Sequence, residues 1–259
     1  MLNADVTCEF PFGKLLEFHK SRKAEGTLLA TKVTDPSKYG VILSSEEGQI
    51  QSFVEKPTSW VGDNINAGLY CLSPEIIKRI DLDLSNPTPV SIEKQVFPQV
   101  ASAGKLFVME LPGYWADIGQ PADYLAGARM HLSSISDKAP ERLSTGKGML
   151  DNVLIDPSAE IGKNCVIGPN VVIGPGCKVG DGVRIAGSTL FANSTIHPNA
   201  VVLNSIIGWD SSVGRWAHVT GVSVLGEDVH IKEQIVINGV RVLPHKTVGA
   251  NQLEPTILM

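Results

Sequence analysis

Between residues 155 and 243 an aliphatic side chain returns every six positions, a spacing that no helix can use. Ile155, Ile161, Ile167, Ile173, Val179 and Ile185 form the first run. After a slip of one residue come Leu190, Ile196 and Val202, and after another Ile207, Val213, Val219, Leu225, Ile231, Ile237 and Leu243. Glycine often follows directly, as at Gly162, Gly174, Gly180, Gly208 and Gly214. A small or β-branched residue stands four positions after most markers, among them Ala159, Cys165, Cys177, Ser194, Ala200 and Ser211. A helix of about 3.6 residues per turn would spread these markers around its whole circumference. A short strand ending in a corner keeps them on one side. The pattern therefore predicts a left-handed parallel β-helix of hexapeptide repeats, with aliphatic residues inside a narrow prism and coils stacked on one another. At three hexapeptides per coil the run makes about five coils. The repeat specifies a fold and leaves the activity open, since such helices serve acyltransferases and also oligomerisation.

The first half has a different texture. TLLATKV at 27–33 is a β-rich run, and 41–44 and 50–54 flank a Glu-Glu-Gly hairpin. Further strands are expected at 65–72 and 106–111. Helices are expected from Pro74 with Ser73 as N-cap, from Ser91 toward Ala103, and from Pro121 to about Ser134. This is an α/β pattern, and the polar stretch 135–150 reads as a linker. The domains are thus expected at 1–137 and 151–259, joined by 138–150. A net charge of −5 argues against nucleic-acid binding as the main task. No apolar run approaches the ~20 residues of a membrane span, and the N-terminus lacks the basic and apolar regions of a signal peptide. Cys8, Cys71, Cys165 and Cys177 are widely spaced and are read as buried free thiols, which fits a cytoplasmic protein.

Four short segments carry the chemistry: LNADV at 2–6, FVEKP at 53–57, INAGLY at 65–70 and WADIGQP at 115–121. Asp5 either closes a buried strand, where open α/β sheets hold ligands, or is a turn aspartate. Asp117 either closes a strand before a tight turn or caps the helix at 121. A carboxylate at each of two strand ends suits Mg²⁺, which takes one or two carboxylates and keeps several waters. Glu55 and Lys56 are neighbours, and neighbours on a strand face opposite sides. They reach a common ligand only if the chain bends there; otherwise they are a solvated pair. Lys is a compact charge suited to phosphate. Asn66 offers a donor and an acceptor to a sugar hydroxyl, and Gly68 and the weaker Gly40 in SKYG allow close backbone approach.

Together with VLPHK at 242–246 and EPTILM at 254–259, these segments resemble the mannose-1-phosphate guanylyltransferases (GDP-mannose pyrophosphorylases) of the eukaryotic beta, or catalytic, type. The resemblance covers essentially the whole chain. It implies a truncated Rossmann-like nucleotidyltransferase domain followed by the β-helix. It also implies transfer of GMP from GTP to mannose 1-phosphate, giving GDP-mannose and pyrophosphate. Asp5 and Asp117 would hold Mg²⁺ and contact substrate, Lys56 would bind the sugar phosphate as the catalytic side chain, and Gly40, Glu55, Asn66 and Gly68 would line the mannose. A homo-oligomer, or a hetero-oligomer with a regulatory alpha-type subunit, is the implied assembly. Nucleic acid and membrane are not implied as partners.

One expected element is not found. The family's GGxGTRLRPLT loop, which cradles the triphosphate, and its downstream PKP have no match in the 259 residues. The expectation is a piece of a longer enzyme beginning at an internal Met, inactive alone. A non-catalytic subunit is the alternative. A hexapeptide acyltransferase using His197, His218, His230 or His245 as base is a third reading, and it leaves the first half without a task.

Overall fold

The computed structural model describes residues 1–80 and 89–259. They gather into two compact units, Met1–Trp115 and Ala116–Met259.

In the first unit, β1 (Val6–Cys8) leads into helix α1 (Phe12–Arg22), followed by β2 (Gly26–Lys32), β3 (Gly40–Ser44), β4 (Ile50–Glu55) and β5 (Asn64–Leu72). A π-turn at Ile92–Val96, helix α2 (Phe97–Ser102) and β6 (Leu106–Glu110) complete it. The main sheet has the order β4-β3-β5-β2-β6. Only the β2–β6 pair is parallel; β2–β5, β3–β5 and β3–β4 are antiparallel. Central strand β2 is buried on both faces, which is why it reads as a continuous apolar run. Its alternation serves two layers. Leu28 and Ala30 join Phe97, Val100, Tyr70 and Leu106 on one face. Leu29 joins Leu15, Leu69 and Leu111 on the other. Helix α1 reaches that layer through Leu15, and His19 one turn later is buried too.

Two local expectations change. Ser91 caps its helix as expected, its Oγ accepting from Lys94 N at 3.2 Å. The helix then opens as a π-turn and restarts at Phe97, because Pro98 brings no N–H to the ladder. Ser73 does not cap the short 3₁₀ helix at Pro74–Arg79. Its hydroxyl donates to Ala24 O at 2.9 Å and lies 3.0 Å from His19 Nε2, so it ties α1 to β5 instead.

In the second unit, helix α3 (Pro121–Lys138) passes the expected end at Ser134, because Ile135 continues the buried stripe of Leu125 and Leu132. Pro140 then opens a single 3₁₀ turn. The hexapeptides form a parallel β-helix with faces of five, six and seven strands, against the expected five coils. Ile167, Ile185, Val202, Val219 and Ile237 stack in register as one inward column. The slips in the repeat are coils one residue shorter. One inward position was misread. Leu225 pairs with Val242, which is buried, while Leu243 is 44 % exposed.

Some of the small residues that follow a marker bind backbone carbonyls. Ser194 Oγ donates to Phe191 O at 2.6 Å and Gly208 O at 2.9 Å. Cys177 Sγ donates to Phe191 O at 3.0 Å. At the C-terminal end Ile257–Leu258 pairs with Arg241–Val242, and Asn238 N donates to Gln252 O, so the tail closes the last coil. The four cysteines are free; three are buried and Cys71 is half-buried. Among the described residues no helix is long and apolar enough to cross a membrane.

Candidate active site

Sheet register brings four of the sequence candidates to one end of the first unit. Gly40 opens β3 directly opposite Glu55, the last residue of β4. Val41, beside Gly40, pairs with Ile65, and Asn66 follows Ile65 on β5. Lys56 comes directly after Glu55 and has φ +47°, a left-handed backbone that L side chains rarely adopt. This is the bend the Glu-Lys pair needs. It brings Lys56 Nζ to 3.9 Å from Glu55 Oε1, with the Lys56 side chain 67 % exposed and the Glu55 side chain only 23 %. The Lys56 N–H donates to Tyr39 O at 3.0 Å, which locks the bend onto the start of β3.

Asn66 lies at a bulge. Leu28 pairs with Tyr70 and Ala30 with Asn66, so Ala67, Gly68 and Leu69 together oppose Leu29 alone. Gly68 takes φ +77° at this bulge, and a Cβ there would stand 2.8 Å from Asn3 Nδ2. The face of Gly68 is thus covered by Asn3, and its N–H donates to Asn66 Oδ1 at 3.1 Å. Two aromatic rings support the bulge. Trp115 Nε1 donates to Ala67 O at 2.9 Å, and Tyr39 packs edge-on against Trp115 with centroids 5.5 Å apart. Asn66 Nδ2 also donates to the Tyr70 hydroxyl at 2.8 Å. Burial pushes the Tyr70 phenol up to about 12; the Asn66 hydrogen bond opposes this and the Glu93 and Glu55 charges reinforce it. Tyr70 therefore stays a neutral phenol. The sequence reading passed over Tyr70 and Trp115 as roles, because only the tertiary fold shows what they touch.

The two aspartates belong to different units. Asp5 does not close a strand: it is exposed in the turn that precedes β1. Asp117 closes the short strand β7 (Trp115–Asp117), and its Oδ1 accepts from Gly119 N at 3.0 Å, so it shapes the turn before α3. Gln120 is the residue at the N-cap position of α3. Among the described residues no cluster of three or more His, Cys, Asp or Glu is arranged to hold a metal. Mg²⁺ can be held by one or two carboxylates, with waters and ligand oxygens completing the shell. Both aspartates offer the hard oxygen donors that Mg²⁺ takes.

On the β-helix, His197 lines two shallow grooves, one of about 360 Å³ with Lys178 and Asp181, the other of about 430 Å³ with Ser212 and Lys232. His230 and His245 each lie 3.0 Å from one oxygen of Asp228. They hold that carboxyl below its ordinary range, His245 most strongly.

Comparison with known proteins identifies the family. Residues 1–134 match the family model described as nucleotidyl transferase, and residues 149–258 match the model described as GMPPB C-terminal domain. The mannose-1-phosphate guanylyltransferase catalytic subunit beta of Xenopus tropicalis is 51% identical over 260 residues, covering 100% of this chain and 71% of the relative. The protein of the same name from Dictyostelium discoideum is 50% identical with the same coverage. That of Drosophila pseudoobscura pseudoobscura is 49% identical and matched over 68% of its length. With a nucleotidyltransferase α/β unit, a hexapeptide β-helix and about half of its residues shared along its entire length, the chain belongs to the mannose-1-phosphate guanylyltransferase family of nucleotidyltransferases.

Proposed function

We propose that this chain serves guanylyl transfer from GTP to mannose 1-phosphate, giving GDP-mannose and pyrophosphate, and that its first unit supplies the sugar-phosphate side of that reaction. The observation that carries the reading is the left-handed Lys56. Its backbone lets an ammonium and a carboxylate from adjacent residues serve one ligand. Lys56 would neutralise the sugar phosphate as its oxygen attacks the α-phosphate of GTP. Glu55 and Asn66 would accept and donate hydrogen bonds with mannose hydroxyls, and Gly40, by lacking a side chain, leaves room for the Glu55 carboxylate beside it. In phosphoryl-type transfer the protein does little covalent chemistry; positioning and charge neutralisation do most of the work. Mg²⁺, when bound, supplies further neutralisation of phosphate charge, with Asp5 and Asp117 as its proposed ligands and Gly68 acting through Asn66. Association through the β-helix, with copies of this chain or an alpha-type subunit, belongs to the same reading, as does a reducing cytoplasm for the free cysteines.

The 259 residues contain no GGxGTRLRPLT segment, so the triphosphate contacts of that loop have no counterpart here. The polypeptide is therefore expected to bind mannose 1-phosphate without releasing pyrophosphate from GTP. Calorimetric titration with mannose 1-phosphate tests the first part. Binding that weakens about tenfold or more in Lys56→Ala supports it; equal affinity in both proteins refutes the role of Lys56. A coupled pyrophosphate assay tests the second part, and robust turnover by the purified chain refutes it.

A further inference from the structure

We propose that Tyr70 is a positioning residue for the sugar, acting by holding the side-chain amide of Asn66 in one orientation. The inference rests on the proposed sugar-phosphate site and adds to it a residue that contacts no ligand itself. An asparagine amide has two N–H donors and an oxygen with two lone pairs. In this fold one of each is already used: Nδ2 donates to the Tyr70 hydroxyl at 2.8 Å, and Oδ1 accepts from Gly68 N at 3.1 Å. What remains is one N–H and one lone pair in the amide plane, on a side chain that is only half-buried. That pair matches two neighbouring hydroxyls of a pyranose. A freely turning amide would have to be ordered at each binding event, at an entropic cost that Tyr70 removes in advance.

The support behind Tyr70 is rigid. Tyr70 is 3 % exposed and belongs to the core layer of α2, where its ring lies 5.4 Å from that of Phe97 and Phe97 lies 5.8 Å from Phe53. Its backbone is pinned as well, donating from N to Met1 O at 3.0 Å. The neutral phenol accepts the Asn66 N–H without placing a second anion beside Glu55. Gly68 fixes the other end of the amide. The bulge at 67–69 thus has a purpose beyond turning the strand: it brings the Gly68 N–H and the Tyr70 hydroxyl to opposite ends of one side chain.

The test is a double-mutant cycle read by calorimetric titration of the 259-residue chain with mannose 1-phosphate. Tyr70→Phe keeps the ring in its packing and removes only the acceptor. It is expected to weaken binding about fivefold in the native background and to have no effect on top of Asn66→Ala. A purely structural role would weaken both backgrounds alike, and that result overturns the proposal, as does unchanged affinity of Tyr70→Phe. Loss of all binding by the unmutated chain is a different outcome: it removes the sugar-phosphate site and this inference with it. Circular dichroism of each variant confirms folding, and Asn66→Ala with Tyr70 intact gives an independent measure if Tyr70→Phe misfolds. The Asn66 amide protons, followed by NMR in the free chain, are expected to exchange more slowly than in Tyr70→Phe.

Discussion

Gly40 and Glu55 face each other across the β3–β4 pair so closely that a single methyl group does not fit between them. A Cβ on Gly40 would stand 2.8 Å from Glu55 Oε2 and 2.5 Å from Phe53 Cζ. Gly40→Ala is therefore expected to displace Glu55 or Phe53 and to destabilise the first unit by about 1–3 kcal/mol. Because Glu55 is proposed to line the sugar, affinity for mannose 1-phosphate should fall with it. Denaturant melts and titration measure the two effects, and a variant unchanged in both would show that the neighbours yield freely.

Conformation and charge separate at Lys56. Lys56→Ala removes the ammonium but keeps a side chain at φ +47°, whereas Lys56→Gly removes both the charge and the steric penalty. The glycine variant is expected to be more stable than the alanine variant by about 1 kcal/mol, while the two bind mannose 1-phosphate equally weakly. Urea midpoints beside titration read this out; a glycine variant that binds like the native chain would shift the role from the ammonium to the bend.

His19 makes the first unit sensitive to acid. Burial holds its pKa below the ordinary value of 6.5. The ring lies between Thr27 Oγ1 at 2.9 Å and Ser73 Oγ at 3.0 Å. Below pH 6.5 the unfolded chain takes up a proton that the folded chain refuses, so stability falls as pH falls through 6.5 and levels off below the folded pKa. His131 in the second unit, lowered by burial and then by Arg142, acts in the same direction there. Urea midpoints between pH 7.5 and 5 are expected to decline, and His19→Gln to flatten part of that slope. An equal slope in the variant would assign the effect to other groups.

The β-helix offers a direct measure of one inter-coil hydrogen bond. Ser194 is fully buried and its hydroxyl bridges the carbonyls of Phe191 and Gly208. Ser194→Ala is expected to cost about 1–2 kcal/mol. Cys177→Ser, which keeps a donor to Phe191 O, should cost less. Chemical denaturation of the two variants compares them directly.

The six-residue period was legible because an inward aliphatic residue is demanded at every strand, and no other regular structure keeps that beat. Its last step was not, since Val242 and Leu243 are both aliphatic and only the pairing of Leu225 with Val242 tells which one turns inward. Ser73 looked like a cap because caps are read from local sequence, while its actual partners, His19 and Ala24, are far away along the chain. At the candidate site the residue types of Glu55, Lys56 and Asn66 could be read from the motifs. The bend at Lys56 and the Tyr70–Asn66 bond could not, because a φ angle and a contact fixed by a bulge leave no signature in residue order.

The parallel coils also determine how damage spreads. Apart from the contact of Tyr124 on α3 with Phe191, the coils meet mainly the ones above and below, so the β-helix behaves as a one-dimensional stack with a finite cooperative length. A lesion at Val248, near the tail that closes the final coil, can fray one end and leave the remaining coils paired. A lesion of the same size at Ile196 interrupts the stack between Val179 and Val213 and divides it into two shorter blocks, each with a raw end. Position along the axis, more than burial alone, decides which substitutions this half of the molecule survives.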